Sequence, residues 1–519
     1  MKSNFLQRFR HKSGPEHPKT MDSTPKDPGP PTVADIFRYR YQHGTNLGSI
    51  FVLEKWLHRS MYEKHATGSS ELAAVTQSLN NIGLQATRQK WERHWHSALS
   101  ETDFLWLLET AKCNSIRLPI GHFTLGPDFC AGTVFEGDAA QVGIGVLIDL
   151  HALPGGANKD AHSGTNSGKA ELWTSTHYLS LAKECVKFVV HEIVALQMSN
   201  VIGIELCNEP SRAASSAVFK WYDEVLPMIS AIDPSLPVYI GDCWDLSKGM
   251  NYALKKNSAS QTPSNPVIVD THKYYTFATK DHSQTPQQII DRVNTSLADV
   301  VKNQGNISAS KTAVEVYIGE YSCTMDTKTW DKVNSADRPA LTQAFGRAQT
   351  EKWQNVTCGS AFWTFKMDWI DGGDWGFKKQ VNTGALTAPR SLTFSLGDTQ
   401  ARSQQASSQK DQLKATAVSQ HVEYWREKRV PNNNYESGWD LGFRDAMDFF
   451  SARANSITMP NNTKTNHQPA VGGGDKIGAL ELWILKRIVE CGRLDSSSAW
   501  EWEHGYRRAV KDFENVVYT

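Results

Sequence analysis

The chain alternates between short apolar runs and longer segments of helical periodicity, a pattern that few architectures accommodate. Segments 101–112, 172–196 and 216–232 place apolar residues at three- and four-residue steps, as on amphipathic helices. Eight such units over about 340 residues predict an α/β fold, a (β/α)8 TIM barrel whose strands are buried on both faces. A doubly wound open sheet is the alternative, because periodicity does not show closure. The predicted strands are 42–50, 115–121, 145–151, 201–208, 237–241, 266–272, 314–320 and 360–365.

The barrel is expected to span residues 34–390 and to be followed by two further regions. Residues 1–33 alternate Lys, Pro, His and Asp, which predicts a disordered leader. Residues 391–430 are rich in Ser, Gln, Thr and Ala, which indicates a surface linker or the last barrel helix. Residues 431–519 are predicted to form a C-terminal helical extension.

That extension contains a sequence repeat. Residues 439–446 are echoed by residues 502–509, and in both copies a Trp, a second aromatic residue and an Ala fall on one helical face. Each copy also has a mid-helix glycine, Gly442 or Gly505, which costs about 1 kcal/mol relative to Ala. We therefore expect helices that cross closely and pack on the barrel or on another subunit.

Charge and composition exclude several classes of partner. The 55 basic residues balance the 55 acidic ones, so no net field attracts the chain to nucleic acid or to an anionic membrane. No apolar run approaches the roughly 18 residues that a membrane span requires. The first 33 residues lack the apolar stretch of an export signal, and the eight cysteines are scattered singly. A cytoplasmic protein with mostly reduced thiols is the expectation.

Two glutamates follow apolar runs at the places where barrel enzymes carry their active sites. Asn208 and Glu209 end the fourth predicted strand, and Glu320 ends the seventh. Such a pair suits retaining glycoside hydrolysis, in which two carboxyl groups about 5–5.5 Å apart act as acid/base and nucleophile. Because one group must hold a proton while the other is ionised, we expect the surroundings to raise the pKa of the acid.

Other strand ends carry polar or aromatic side chains that suit a sugar site: Arg117, His151, His272, Tyr274 and Trp363. The guanidinium of Arg117 and the hydroxyl of Tyr274 can donate to the ionised nucleophile, and Trp363 offers a flat face to a sugar ring. The two histidines of His94-Trp95-His96 could ligate a metal, but no third cluster of ligands accompanies them, so no metal is expected. Hydrolysis by two carboxyl groups needs no cofactor, so none is expected.

The motifs together resemble glycoside hydrolase family 5, clan A, and within it the fungal exo-β-1,3-glucanase-like branch. The resemblance runs from about residue 40 to about residue 380. It rests on the blocks 44–56, 94–95, 116–121, 147–164, 201–210, 269–277, 318–322 and 362–366.

The resemblance implies a role for each site residue. Glu209 is the implied acid/base, Glu320 the nucleophile and Asn208 the partner of the sugar 2-hydroxyl, while Glu54 would bind hydroxyls of the terminal glucose. The remaining invariant positions of the family match Arg117, His151, His272, Tyr274 and Trp363.

The entrance of the site departs from that pattern. Phe277 matches one half of the aromatic entrance clamp of these glucanases, and Asp160 stands where they carry the other aromatic residue.

The sequence therefore predicts a retaining β-glycosidase that cleaves β-glucosidic bonds, as an exo-β-1,3-glucanase or a β-glucosidase. A transglycosylase, or a glucosidase for sterol or flavonoid glucosides, would use the same carboxylates. A sugar-binding scaffold without catalysis is the rival from another class. The expected partner is a carbohydrate or β-glucoside, and the C-terminal helices are the expected contact of any homo-oligomer.

Overall fold

A computed structural model describes most of the chain. It covers residues 27–126, 145–259, 264–369, 371–426, 433–455 and 472–519. A disordered leader is predicted over residues 1–33, and residues 1–26 of it lie outside the described ranges. The first helix begins at Val33. No helix within these ranges is both long and apolar enough to cross a membrane.

All eight predicted strands are present and close into one barrel. They are β1 (Gln42–Asn46), β2 (Ser115–Gly121), β3 (Gly145–Ala152), β4 (Val201–Glu205), β5 (Val238–Gly241), β6 (Val267–Lys273), β7 (Glu315–Tyr321) and β8 (Gly359–Phe362). Each strand pairs in parallel with its neighbours in chain order, and β8 pairs with β1. The TIM barrel prediction is confirmed, and closure of the ring excludes the open sheet.

Helices alternate with the strands as the periodicity predicted. Up to the end of the barrel they are α1 (Val33–Tyr39), α2 (Glu71–Ala98), α3 (Glu101–Glu109), α4 (Thr176–Ala195), α5 (Ser215–Ile232), α6 (Leu246–Lys256), α7 (Thr279–Ser283), α8 (Pro286–Thr295), α9 (Ala298–Lys302), α10 (Ile307–Ser310), α11 (Thr327–Trp330), α12 (Arg338–Val356) and α13 (Phe377–Asn382). In α5, the buried residues Val218, Tyr222, Val225 and Ile229 recur at steps of four, three and four, so one helical stripe packs against the barrel.

The Ser/Gln/Thr-rich stretch after the barrel forms a helix rather than a linker. Helix α14 spans Leu396–Trp425, and within the described residues after it lie α15 (Asn433–Ser451), α16 (Leu480–Glu490) and α17 (Ala499–Tyr518). A capping box starts α14, because Ser395 and Asp398 each accept a hydrogen bond from the other's backbone N–H.

The two copies of the repeat pack against each other as parallel helices. A Cβ atom at Gly442 would overlap the carbonyl oxygen of Tyr506, and one at Gly505 would overlap that of Tyr435. The glycines therefore permit the close crossing that the sequence predicted, since any side chain would hold the two backbones apart. The indole of Trp439 donates to Asp512, 3.0 Å away on the other helix.

The helical extension docks on the end of the barrel at which the strands begin. Arg40, just before β1, forms a bridge with Ile477 and an ion pair of 3.1 Å with Asp475. At the start of β7, a carboxylate oxygen of Glu315 accepts the backbone N–H of Glu481 at 2.7 Å. Apolar residues of the barrel interior share one hydrophobic cluster with the tail helices, so the extension closes the bottom of the barrel.

We predict that Gly505→Ala destabilises the protein by about 1–3 kcal/mol, because the added methyl group forces the helices α15 and α17 apart. Gly397→Ala, in the first turn of helix α14, is the matched control. A Cβ atom at Gly397 would meet only the hydroxyl of Ser395, at 3.9 Å. Urea unfolding of both variants measures the effect. Equal stability of the two variants would contradict the close crossing.

Candidate active site

Glu209 and Glu320 meet at the end of the barrel where the strands finish. His272 Nδ1 lies 2.8 Å from Glu209 Oε1 and 3.4 Å from Glu320 Oε2. The imidazole nitrogen and one oxygen of each carboxylate all lie within 4.8 Å of one another. This approach suits a retaining pair, because inverting enzymes hold their carboxyl groups about 6.5–9.5 Å apart.

Strand register and a strained turn bring the two glutamates together. His272 on β6 is the register partner of Glu320 on β7, so the two side chains leave the barrel at the same level. Glu209 follows β4 in the left-handed region, at φ 43°. Its carbonyl oxygen accepts a hydrogen bond from the Asn158 side chain at 3.0 Å, which helps to hold this unfavourable conformation.

Glu320 is held by two donors, one on β2 and one directly after the end of β6. The Tyr274 hydroxyl donates to Oε2 at 2.7 Å, and Arg117 Nη1 donates to Oε1 at 3.0 Å. Burial and the adjacent carboxylates raise the pKa of the Tyr274 hydroxyl well above its usual value, so it remains a donor. Both oxygens of the carboxylate are therefore oriented before substrate arrives.

Arg117 lies within 4 Å of four carboxylates. It donates to both oxygens of Glu205 at 2.7 and 3.0 Å, and it lies 3.1 Å from Asp149 and 3.8 Å from Asp270. The fourth carboxylate is Glu320. Burial acts to lower the pKa of Arg117, but the charges of Asp149, Glu205 and Glu320 hold it well above its ordinary value. One fully buried cation therefore organises the floor of the site.

The floor contains three acidic residues that the sequence analysis did not single out: Asp149, Glu205 and Asp270. Burial raises the pKa of Glu205 well above its usual value. The pKa of Asp270 is lowered instead, because hydrogen bonding and attraction by His272 outweigh the effect of burial. An acidic residue flanked by apolar residues within a predicted strand, as in Ile204-Glu205-Leu206, is the sequence signal that could have found them.

Each carboxylate oxygen of Glu209 contacts the imidazole of a different histidine. His272 lies 2.8 Å from Oε1, and His162 Nε2 lies 3.1 Å from Oε2. Burial acts to raise the pKa of Glu209, but the hydrogen bonds of His162 and His272 outweigh it and hold the pKa well below its usual value. This direction is the opposite of the raised pKa that the sequence analysis expects for the acid. His162, on the loop after β3, was also missed as a site residue.

Asn208 and His151 are fixed by neighbours on the floor. The Asn208 side-chain oxygen accepts a hydrogen bond from Arg117 at 2.8 Å, and its amide nitrogen lies 3.5 Å from His151 Nε2. His151 Nδ1 lies 2.7 Å from Asp149. The imidazole stacks on the indole of Trp363, with ring centres 5.6 Å apart and planes 8° from parallel.

Glu54 offers an oxygen without a partner in the described part of the chain. Its Oε2 accepts the indole N–H of Trp56 at 2.8 Å, whereas the buried Oε1 has no hydrogen bond. Burial raises the pKa of Glu54 above its usual value. A buried acceptor without a partner is costly, so a ligand hydroxyl at this position would satisfy it.

Exposed aromatic residues surround the entrance. Phe277 is 68% exposed, and its ring lies 5.6 Å from that of Tyr274 and 6.3 Å from that of Trp375. Trp56 continues this aromatic wall, with ring centres 5.2 Å from Trp375 and 6.4 Å from Trp369. The substituted position Asp160 is exposed. The entrance thus carries aromatic residues, although Asp160 replaces the second aromatic residue of the expected entrance clamp.

Two protein family models match the chain. The model described as Cellulase (glycosyl hydrolase family 5) matches residues 75–366. The model described as Glucan 1,3-beta-glucosidase 3 C-terminal domain matches residues 406–517, which include most of the helical extension.

Relatives in yeasts match nearly the full length. The protein named Glucan 1,3-beta-glucosidase 3 of Schizosaccharomyces pombe is 30% identical over 506 residues, which cover 93% of this chain and 97% of the relative. An uncharacterized glycosyl hydrolase of Saccharomyces cerevisiae is 28% identical over 511 residues, with 92% of each chain covered. The solved rutinosidase from Aspergillus niger shares the fold, with a TM-score of 0.51 and 17% identity over 68% of this chain and 99% of that one. The chain therefore belongs to glycosyl hydrolase family 5, in its fungal exo-β-1,3-glucanase-like branch, and is a glycoside hydrolase.

Proposed function

We propose that this glycoside hydrolase removes β-linked glucose with retention of configuration, with Glu209 as acid/base and Glu320 as nucleophile. The approach of the two carboxylates to within 4.8 Å carries the proposal. The name of the S. pombe relative supports a β-1,3-linked glucan or oligosaccharide as substrate.

The proposed reaction has two steps. Glu209 gives a proton to the glycosidic oxygen while Glu320 attacks the anomeric carbon, so the leaving group departs as an alcohol and glucose becomes an ester of Glu320. Glu209, now a carboxylate, takes a proton from the water molecule that attacks the same carbon. Cleavage of the ester releases glucose and restores both side chains.

The substrate-binding residues support release of a terminal glucose. The free oxygen of Glu54 suits a hydroxyl of the non-reducing glucose, and the amide nitrogen of Asn208 suits its 2-hydroxyl. Trp363, stacked on His151, provides the floor for the sugar ring. These three contacts favour exo action on a chain end.

A second candidate is a glucosidase for apolar glucosides such as those of sterols or flavonoids. The aromatic wall of Trp56, Phe277 and Trp369 favours it, because these side chains are 41%, 68% and 40% exposed beside the catalytic pair. We also propose a cytoplasmic location, which suits the buried free thiols of Cys113, Cys207, Cys243, Cys323, Cys358 and Cys491.

Purified protein should be assayed on β-1,3-, β-1,4- and β-1,6-linked glucose oligomers and on steryl and flavonoid β-glucosides, with products resolved by size and by NMR. We expect glucose, formed first as the β-anomer, from the β-1,3-linked oligomers. Faster turnover of the apolar glucosides would favour the second candidate. Transfer of glucose to an added alcohol would indicate a transglycosylase, and first formation of the α-anomer would contradict the retaining mechanism.

A further inference from the structure

His162 is a second imidazole on the acid/base, and it comes from a different element than His272. It lies in a short helical turn, Ala161–Ser163, on the loop after β3. Its Nε2 is 3.1 Å from Glu209 Oε2, while His272 contacts the other oxygen. Both oxygens of one carboxylate thus face a group that can hold a proton.

The two imidazoles have different partners. His272 lies 3.4 Å from Glu320 and 3.6 Å from Asp270, so its proton is shared with the nucleophile and with the floor of the site. Among the described residues, Glu209 is the carboxylate within 4 Å of His162. A proton can therefore pass between His162 and Glu209 without a change in the charge of the nucleophile.

The surroundings of His162 favour a bound proton. Burial acts to lower its pKa, but the hydrogen bond and the charge of Glu209, together with the charges of Glu54 and Glu320, raise the pKa to about 9. Two further groups face the His162 ring: the amide nitrogen of Asn158 lies 3.2 Å from Nε2, and the ring centre of His151 lies 5.6 Å from that of His162. The exposed Lys159 and Asp160 precede the turn on the same loop.

We infer that His162 is a positioning residue that stores the proton of the acid/base, so that Glu209 and His162 act as a pair carrying one shared proton. The inference rests on the proposed roles of Glu209 and Glu320. Before the glycosidic bond breaks, the proton lies on His162 Nε2. When the glycosidic bond breaks, this proton moves to Glu209 and from Glu209 to the departing oxygen, which leaves a neutral imidazole and a carboxylate. In the second step, the proton removed from water returns through Glu209 to His162.

The pair extends activity to alkaline pH. Without His162, Glu209 itself would have to keep the proton while His272 still acts to lower its pKa, so the ability to protonate the leaving group would disappear at a lower pH than with the pair. A shared proton is lost only near the higher pKa of His162. The alkaline limb of kcat/KM therefore reports the pair.

The test compares pH profiles of kcat/KM for wild type, His162→Asn, His162→Gln and the control His177→Asn, an exposed histidine. With a phenyl β-glucoside, both His162 variants should have an alkaline limb at least about 1 pH unit lower than wild type, and the control should not. With 2,4-dinitrophenyl β-glucoside, whose leaving group needs no proton, the two His162 variants should lose at least about tenfold less kcat/KM than they lose with the phenyl glucoside at alkaline pH. An unmoved limb, or an equal loss on both substrates, would overturn the inference.

A second measurement does not depend on turnover. The midpoint of the His162 imidazole titration, followed by NMR with 15N-labelled histidine, should fall by more than about 1 pH unit in Glu209→Gln, because the partner charge is removed. An unchanged midpoint would overturn the pairing even if no glucoside is hydrolysed. Inactive wild-type protein would instead contradict the proposed function while the NMR result still decides the pairing.

Discussion

Replacement of Glu320 by Gln should reduce kcat on every β-glucoside by roughly 10⁴-fold or more, because the amide cannot form the glucosyl ester. The carboxylate is already oriented by Tyr274 at 2.7 Å and Arg117 at 3.0 Å, and Gln keeps its shape. The fold should therefore survive, and loss of activity would report chemistry. Initial rates on an aryl β-glucoside with an activated leaving group measure the effect.

A matched control separates chemistry from a general effect of charge removal. Glu184→Gln removes an exposed carboxylate of helix α4 that pairs only loosely with Lys187, at 3.4 Å, and it should retain full activity. A 2-deoxy-2-fluoroglucoside should label the peptide that contains Glu320 in the wild type and leave Glu320→Gln unlabelled. Label on a different carboxylate, or more than about 1% residual activity, would refute the assignment of the nucleophile.

Replacement of Glu209 by Ala should reduce kcat/KM by about 10²–10⁴-fold for leaving groups that need a proton, and far less for 2,4-dinitrophenyl β-glucoside. Without the general base, hydrolysis of the glucosyl ester becomes slow, so a burst of dinitrophenol should precede a low steady rate. Stopped-flow absorbance with both substrates measures the two steps separately.

Azide distinguishes the two glutamates by the side from which it attacks. In Glu209→Ala the small anion can enter where the acid/base stood, so it should restore turnover and give β-glucosyl azide. In Glu320→Ala it would attack from the nucleophile's side and give the α-anomer. Formation of the α-anomer in Glu209→Ala would show that the two roles are reversed.

The strands and the two glutamates of the candidate site could be predicted because both depend on local sequence. Apolar runs locate the eight strands, and a parallel barrel collects the C-terminal ends of all strands at one mouth. Glu209 and Glu320 follow such runs, so their meeting follows from the architecture. The crossing of the repeated helices was also predictable, since a mid-helix glycine such as Gly442 has a local cost that a close contact explains.

The electrostatics of the site could not be predicted in the same way. Arg117 on β2 contacts acidic residues of β3, β4, β6 and β7, and only closure of the barrel and its register bring these strands to one cation. His162 illustrates the same point. Its loop position has no periodic signal, and its contact with Glu209 reverses the direction in which burial alone would shift the pKa of that acid.

Eight strands, the helical extension and two strand-end glutamates can be predicted from the amino-acid sequence, because hydrophobic period and strand-end position are properties of neighbouring residues. Tertiary structure alone decided which charges surround them. Hydrogen bonds and charge interactions act over a few ångströms between residues as distant in sequence as Arg117 and Glu320, so proton affinity at this site is a property of the closed barrel.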